Sequence, residues 1–321
     1  MIGLLAWGCQ AVFLAVSGGA SRIMDVVLHF GAHRTATRSL HRFMSQNQDA
    51  FPDVVMWSTP DLHRGRFNDL VRSPEKITLD VEARAWRRIG ALRIAQQLFE
   101  QQGMRRLIVS SPDMLGPQRA LLRSERLYGD ISERARRFVA PFGARCATVV
   151  VAIRSYDSFW RSVLAQSVWS GGAFPKEAQL DRLVTQPYRW RRMIEQIAPL
   201  FPRAQLVVWP YEALGSLPEQ QAAILCGRPV TRFRGGRELV GASPDRAALR
   251  EVAVHSGNGA IACSDMLEGD GRWQPFSADH KETLQAQYSE DLAWLRAGAS
   301  GLATFVEGRA SDPAAMLLTT G

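Results

Sequence analysis

The 321-residue chain is poor in lysine. Only Lys76, Lys176 and Lys281 occur, so arginine carries nearly all of the basic excess behind a net charge of +8. A guanidinium surplus attracts anions such as nucleotides and acidic glycans, while most of these arginines are expected on solvated faces. Cysteine is also sparse. Cys9, Cys146, Cys226 and Cys263 stand far apart and form no CxxC pair. A zinc centre needs clustered ligands and a disulfide scaffold needs denser cysteine. Both are excluded, and reduced thiols in a reducing compartment are expected. Internal repeats, low-complexity stretches and a clear linker are absent as well. With 46% hydrophobic and 22% charged residues, the composition is that of a globular protein with a full core. One domain over residues 24–298 is expected, with a frayed tail over 299–321.

The one long apolar run is Met1–Ala20, within an N-terminal extension of residues 1–23. A secretory signal wants an early basic region, and no basic residue precedes Arg22. A membrane-spanning helix needs roughly 20 apolar residues, which makes this run short for an anchor. The third reading is translation from Met24, directly before the first strand, and it is preferred. It implies a cytoplasmic protein, with membrane association only through residues 1–20.

Short apolar runs alternate with helical patterns along the rest of the chain. Met24–Phe30, Asp53–Trp57, Arg105–Ser110, Cys146–Ile153 and Gln205–Trp209 read as strands. Thr37–Gln46, Val81–Gln102, Glu133–Phe142, Ser158–Trp169, Arg189–Phe201 and Lys281–Arg296 read as helices. Residues 61–76 and Arg232–Gly241 read as loops. The alternation predicts an α/β fold: a three-layer arrangement with a parallel sheet between helices.

Chemistry concentrates in Val26–Leu40, which reads VVLHFGAHRTATRSL. Ligands of open α/β sheets bind beyond the carboxyl ends of the strands. Gly31–Thr37 lies at such an end, with a helix whose free N–H groups and dipole face the loop. Arg34 adds a permanent cation, and Thr35, Thr37 and Ser39 add hydroxyls. The loop is not a Walker A motif. Ala36, Thr37 and Arg38 stand where that motif has its second glycine, its lysine and its hydroxyl residue. The missing lysine argues against a P-loop small-molecule kinase, which is kept as an alternative.

This loop resembles the 5′-phosphosulfate-binding loop of the sulfotransferases that use 3′-phosphoadenosine 5′-phosphosulfate. Bacterial members often read HxGxxKTGTTSL there, and this chain matches with His29, Gly31, Arg34, Thr35, Ala36, Thr37, Arg38, Ser39 and Leu40. It departs with Arg34 for lysine, Ala36 for glycine and Arg38 for Thr or Ser. The family's second landmark is a strand ending in arginine with a serine eight residues on, and Arg154 and Ser162 stand so after Val149–Ile153. The resemblance implies a P-loop-like sulfotransferase fold, with Gly31 and Arg34–Ser39 holding the 5′ side of the donor and Arg154 and Ser162 its 3′-phosphate. Val207–Leu214 and Tyr288–Leu295 resemble later family segments.

The resemblance further implies sulfuryl transfer to a hydroxyl or amine of a small molecule, carbohydrate or glycolipid, with no metal and no nucleic-acid partner. Arg34 would stabilise the leaving group. A base must take the acceptor's proton. Asp113 is one candidate, beside Pro112 where bacterial relatives often have glutamate. His33 in the loop is its rival. An equal reading has Asp113 only cap the turn or helix after Pro112. Trp86, Trp160, Trp169 and Trp190 are candidates for an acceptor pocket or for core. The substitutions at Ala36, Arg38 and Pro112 keep open a nucleotide-binding protein of this fold with impaired catalysis.

Overall fold

The computed structural model describes residues 23–257 and 259–308. The extension up to Arg22 and the residues after Gly308 lie outside the described residues, and with them the readings of Met1–Ala20. Six strands form one sheet: β1 Asp25–Gly31, β2 Val54–Trp57, β3 Arg106–Ser110, β4 Cys146–Ile153, β5 Gln205–Pro210 and β6 Thr304–Phe305. Their order is β2-β3-β1-β4-β5-β6, and every pairing is parallel. Parallel strands are covered on both faces, so their sequences run apolar without alternation.

The two faces feed two cores. Val26, Leu28, Phe30, Val149, Val151 and Ile153 point to the larger core, under helices Leu79–Gln101, Ile131–Phe142 and Tyr156–Trp169. Val27, Ile108, Val150, Val207 and Trp209 point to the smaller one, where helices α1 (Thr37–Gln46) and Pro218–Cys226 lie. Each fully buried side chain of this size contributes about 1.5–3 kcal/mol. The period of two also places His29 and Ser110, paired across β1 and β3, on the α1 side.

The chain runs from β1 to β3 and β2 on one side and to β4, β5 and β6 on the other. A crevice therefore opens beyond the carboxyl end of β1, at the point where the strand order reverses. The three-layer α/β fold expected from the sequence is present. Past Gly298, where the sequence predicts a frayed tail, β6 pairs with β5 and Val306 is buried. The two residues of β6 are too short to show a period. Helices Glu177–Thr185, Pro218–Cys226 and Arg246–His255 are also additional to the sequence reading. Among the described residues no helix is long and apolar enough to cross a membrane.

Candidate functional site

The loop between β1 and α1 is built on two residues with left-handed backbone, Arg34 at φ 66° and Ala36 at φ 65°. Alternating left- and right-handed residues turn successive amides to one side and make an anion-binding concavity. The hydrogen bond from the Leu40 N–H to the Ala36 carbonyl, 3.1 Å, opens the α1 ladder, so the amides before it face the loop. Gly31 is needed for space. A Cβ there would lie 2.6 Å from Thr37 Oγ1 and 2.8 Å from His29 Nε2. The Thr35 hydroxyl donates to the Ala32 carbonyl at 2.6 Å and holds the loop shut on itself. Ser39 Oγ accepts the Val240 N–H at 2.9 Å, which ties residues 239–243 over the loop.

Arg34 reaches across to the second sequence signature. Its Nε donates to Ser162 Oγ at 2.8 Å, Nη1 to Gln166 Oε1 at 3.1 Å and Nη2 to Ser243 Oγ at 3.1 Å. Ser162 Oγ and Ser243 Oγ are 2.5 Å apart, and Ser162 is 2% exposed. Arg154, at the end of β4, donates from Nη1 to the Arg34 carbonyl at 2.6 Å and lies 4.2 Å over the Tyr211 ring. The Trp190 indole fixes this strand end by donating to the Arg154 carbonyl at 2.8 Å. Burial pushes Arg34 down to about 10, and the Arg154 and Arg38 charges add to the effect. Burial likewise lowers Arg154, against support from Tyr211 and Glu212. A bound anion would relieve this mutual repulsion.

The other side of the crevice holds the proton-handling groups. The Ser111 hydroxyl accepts the Asp113 N–H at 3.2 Å, so Ser111, and not Asp113, caps the short helical turn Pro112–Leu115. The Asp113 carboxylate faces two imidazoles. His63 Nε2 is 2.7 Å from Oδ2, and His33 Nε2 is 3.7 Å from Oδ1. Burial raises the Asp113 carboxyl, but His33 and His63 outweigh it and hold it below its ordinary value. A second chain runs from His29 Nδ1 to Ser110 Oγ, 2.7 Å, and on to His41 Nε2, 2.7 Å. Burial lowers His29 to about 3 and His41 to about 4, so both are neutral at physiological pH.

One cleft of about 1630 Å³ collects these groups. His33, Arg34, Ala36, Thr37, Arg38, Ser39, Asp113 and Arg154 all line it, whereas Gly31, Thr35 and Ser162 support the wall from behind. Thr37 Oγ1, Arg154 Nε and His33 Nε2 are buried with no hydrogen-bond partner among the described residues. Arg272 joins the lining and depresses both Arg34 and Arg154 by like charge. None of the four tryptophans considered lines the cleft. Trp160 and Trp190 are fully buried by aromatic neighbours, and Trp86 and Trp169 are exposed elsewhere.

No family model matches the chain, and no curated protein matches it. Among solved structures, the crystal structure of a sulfotransferase from Alicyclobacillus acidocaldarius is similar at 16% identity. The match covers 74% of this chain and 94% of that one, with a TM-score of 0.41.

Sequence reasoning passed over His41, His63, Tyr128, Ser243 and Arg272. His41 was within reach, because it lies four residues after Thr37 and so on the same face of α1. The others arrive from distant segments, and no local spacing marks them.

Proposed function

We propose that the cleft binds 3′-phosphoadenosine 5′-phosphosulfate and that the protein is a sulfotransferase, acting on a hydroxyl or amine of a small-molecule or carbohydrate acceptor. The observation that carries the reading is the bond from Arg154 Nη1 to the Arg34 carbonyl, 2.6 Å. It joins an anion-binding loop to a second arginine site in one crevice, as a donor phosphorylated at two positions requires. The buried, unpartnered Thr37 Oγ1 and Arg154 Nε fit such a polyanion.

In this reading the loop amides and Thr37 hold the 5′ side, and Arg154 meets the 3′-phosphate with its fork. Ser162 reaches that phosphate once Arg34 and Ser243 release its hydroxyl. The donor supplies an activated sulfuryl group. Arg34 neutralises charge that builds on the leaving oxygen, an electrostatic role that needs no metal. Asp113 or His33 receives the acceptor's proton. A cytoplasmic location accords with a donor made in the cytosol.

Calorimetry with adenosine 3′,5′-bisphosphate and with ATP–Mg²⁺ tests the reading. The bisphosphate is expected to bind the more tightly, and Arg154→Ala to weaken it by at least about tenfold, the loss of a charged hydrogen bond. Preference for ATP–Mg²⁺ overturns the reading. Tight bisphosphate binding without transfer to any of a broad set of acceptors would favour a binding protein of impaired activity.

A further inference from the structure

Asp113 and His33 are the two candidates for the acceptor's proton, and Tyr128 contacts one of them. This residue sits in the loop between helices Gln118–Ser124 and Ile131–Phe142, 95 positions from His33 in sequence. Its backbone is left-handed, φ 49°, a conformation that costs a side-chain-bearing residue free energy and persists only where the surroundings enforce it. The enforcement is visible. The ring is 3% exposed, packed near Phe159 and Trp190 and stacked on His33 with 17° between planes.

The phenol oxygen makes two contacts with one residue. It accepts the His33 backbone N–H at 2.9 Å and lies 3.0 Å from His33 Nδ1. Burial, the first cause, and the nearby Asp113 charge raise the Tyr128 hydroxyl far above its ordinary value, so it keeps its proton. A phenol has one proton to give. The backbone contact already uses the oxygen as acceptor, and Nδ1 is the acceptor the phenol proton can reach. A neutral imidazole whose Nδ1 accepts carries its own proton on Nε2. Nε2 is the atom turned toward Asp113, 3.7 Å from Oδ1 and buried.

We infer that Tyr128 is a positioning residue that fixes His33 in its Nε2–H form, which makes Asp113 the proton acceptor and turns the His33 N–H toward its carboxylate. The inference rests on the sulfotransferase reading for its chemistry, though not for its geometry. The phenol leaves His33 no basic nitrogen facing the carboxylate. His63 engages Oδ2 of Asp113 at 2.7 Å, while Oδ1 has no contact within hydrogen-bond distance to His33 and is the oxygen left for an acceptor. Asp113 then takes the proton of the acceptor hydroxyl as that oxygen bonds sulfur. The bond between sulfur and the donor's 5′-phosphate oxygen breaks in the same step, and its electron pair stays on the phosphate beside Arg34.

Three measurements on the full chain test this. Nitrogen-15 NMR of histidine-labelled protein, assigned with His33→Gln, is expected to show His33 protonated at Nε2 and bare at Nδ1. In Tyr128→Phe, which keeps the ring and its stacking, the same signals are expected to move toward a mixture of tautomers. Transfer is expected to fall by about ten- to a hundredfold in kcat, as for other outer supports of a reactive group, with KM changed less. In the His33→Gln background Tyr128→Phe is expected to cost little, because an amide has no tautomer to select. A purely structural role would cost the same in both backgrounds and overturns the inference. So does wild-type His33 protonated at Nδ1. Adenosine 3′,5′-bisphosphate affinity separates the two ideas. Absent binding to the wild type sinks the donor reading alone, and the NMR result still decides the tautomer.

Discussion

Single residues set the strain and the proton chemistry of this crevice. Ala36 holds φ 65° at the head of α1, where a Cβ costs about 1 kcal/mol relative to glycine. Ala36→Gly is expected to stabilise the fold by about 0.5–1 kcal/mol, less the entropy that glycine adds to the unfolded chain. Urea unfolding with an unchanged slope would measure it, and a lower midpoint would show that the loop tolerates the methyl group. Asp113 makes a pH prediction. Its carboxyl lies below its ordinary value, because His33 and His63 outweigh burial. An Asp113 base therefore keeps kcat/KM level as pH falls until below about 4, the ordinary carboxylate value. The sign for stability is the same: the contribution of Asp113 is present above its unfolded value and lost as pH falls through the lower folded one.

At the scale of elements, the crevice is closed by pieces that never adjoin in sequence. The loop after β1, the helix Tyr156–Trp169 and the strap of residues 239–243 meet through Arg34, Ser162 and Ser243. Ser243 occupies donors that a phosphate would use. Ser243→Ala is expected to tighten adenosine 3′,5′-bisphosphate binding, by about tenfold, since the hydrogen bonds of Ser243 to Arg34 and Ser162, each worth about 1 kcal/mol net, need no longer be exchanged. Calorimetry reads this directly, and weaker binding would make Ser243 a ligand of the anion instead. The strand pattern was legible for β1–β5 because buried parallel strands are continuous apolar runs. Helix Pro218–Cys226 was not. It is buried nearly all round against α1 and the sheet, Glu219 and Gln221 included, and shows no amphipathic period.

Across the molecule, the arginine surplus divides into structural and chemical uses. Asp69 is 2% exposed and is held by Arg72 at 3.2 Å within its own loop and by Arg84 at 3.6 Å and Arg88 at 2.7 Å, the last two fastening the loop to helix Leu79–Gln101. Burial raises the Asp69 carboxyl, but Arg88 and Arg72 outweigh it and bring it below the usual range. Its stabilising contribution is therefore present above the unfolded value and lost as pH falls through the folded one. Asp69→Asn is expected to lower stability at neutral pH by about 1–2 kcal/mol, because the arginine partners stay partly exposed, and to flatten the acid limb of stability. Denaturant unfolding between neutral and acid pH would show both. The cleft arginines, by contrast, crowd one another and are poised for an anion.

The sequence by itself determined the fold class, the loop after β1 and the eight-residue spacing of Arg154 and Ser162 along one strand and helix. Those features are local: a β-branched run, a helix start and an eight-residue spacing each fall within one or two elements. Only the tertiary structure decided how the crevice is furnished. It showed Ser162 covered by Arg34 and Ser243, put His63 on Asp113, and laid the Tyr128 phenol against both nitrogens that orient His33. Hydrogen bonds between side chains 50 to 209 positions apart depend on how separate helices pack against the sheet, and a one-dimensional pattern carries no record of that packing.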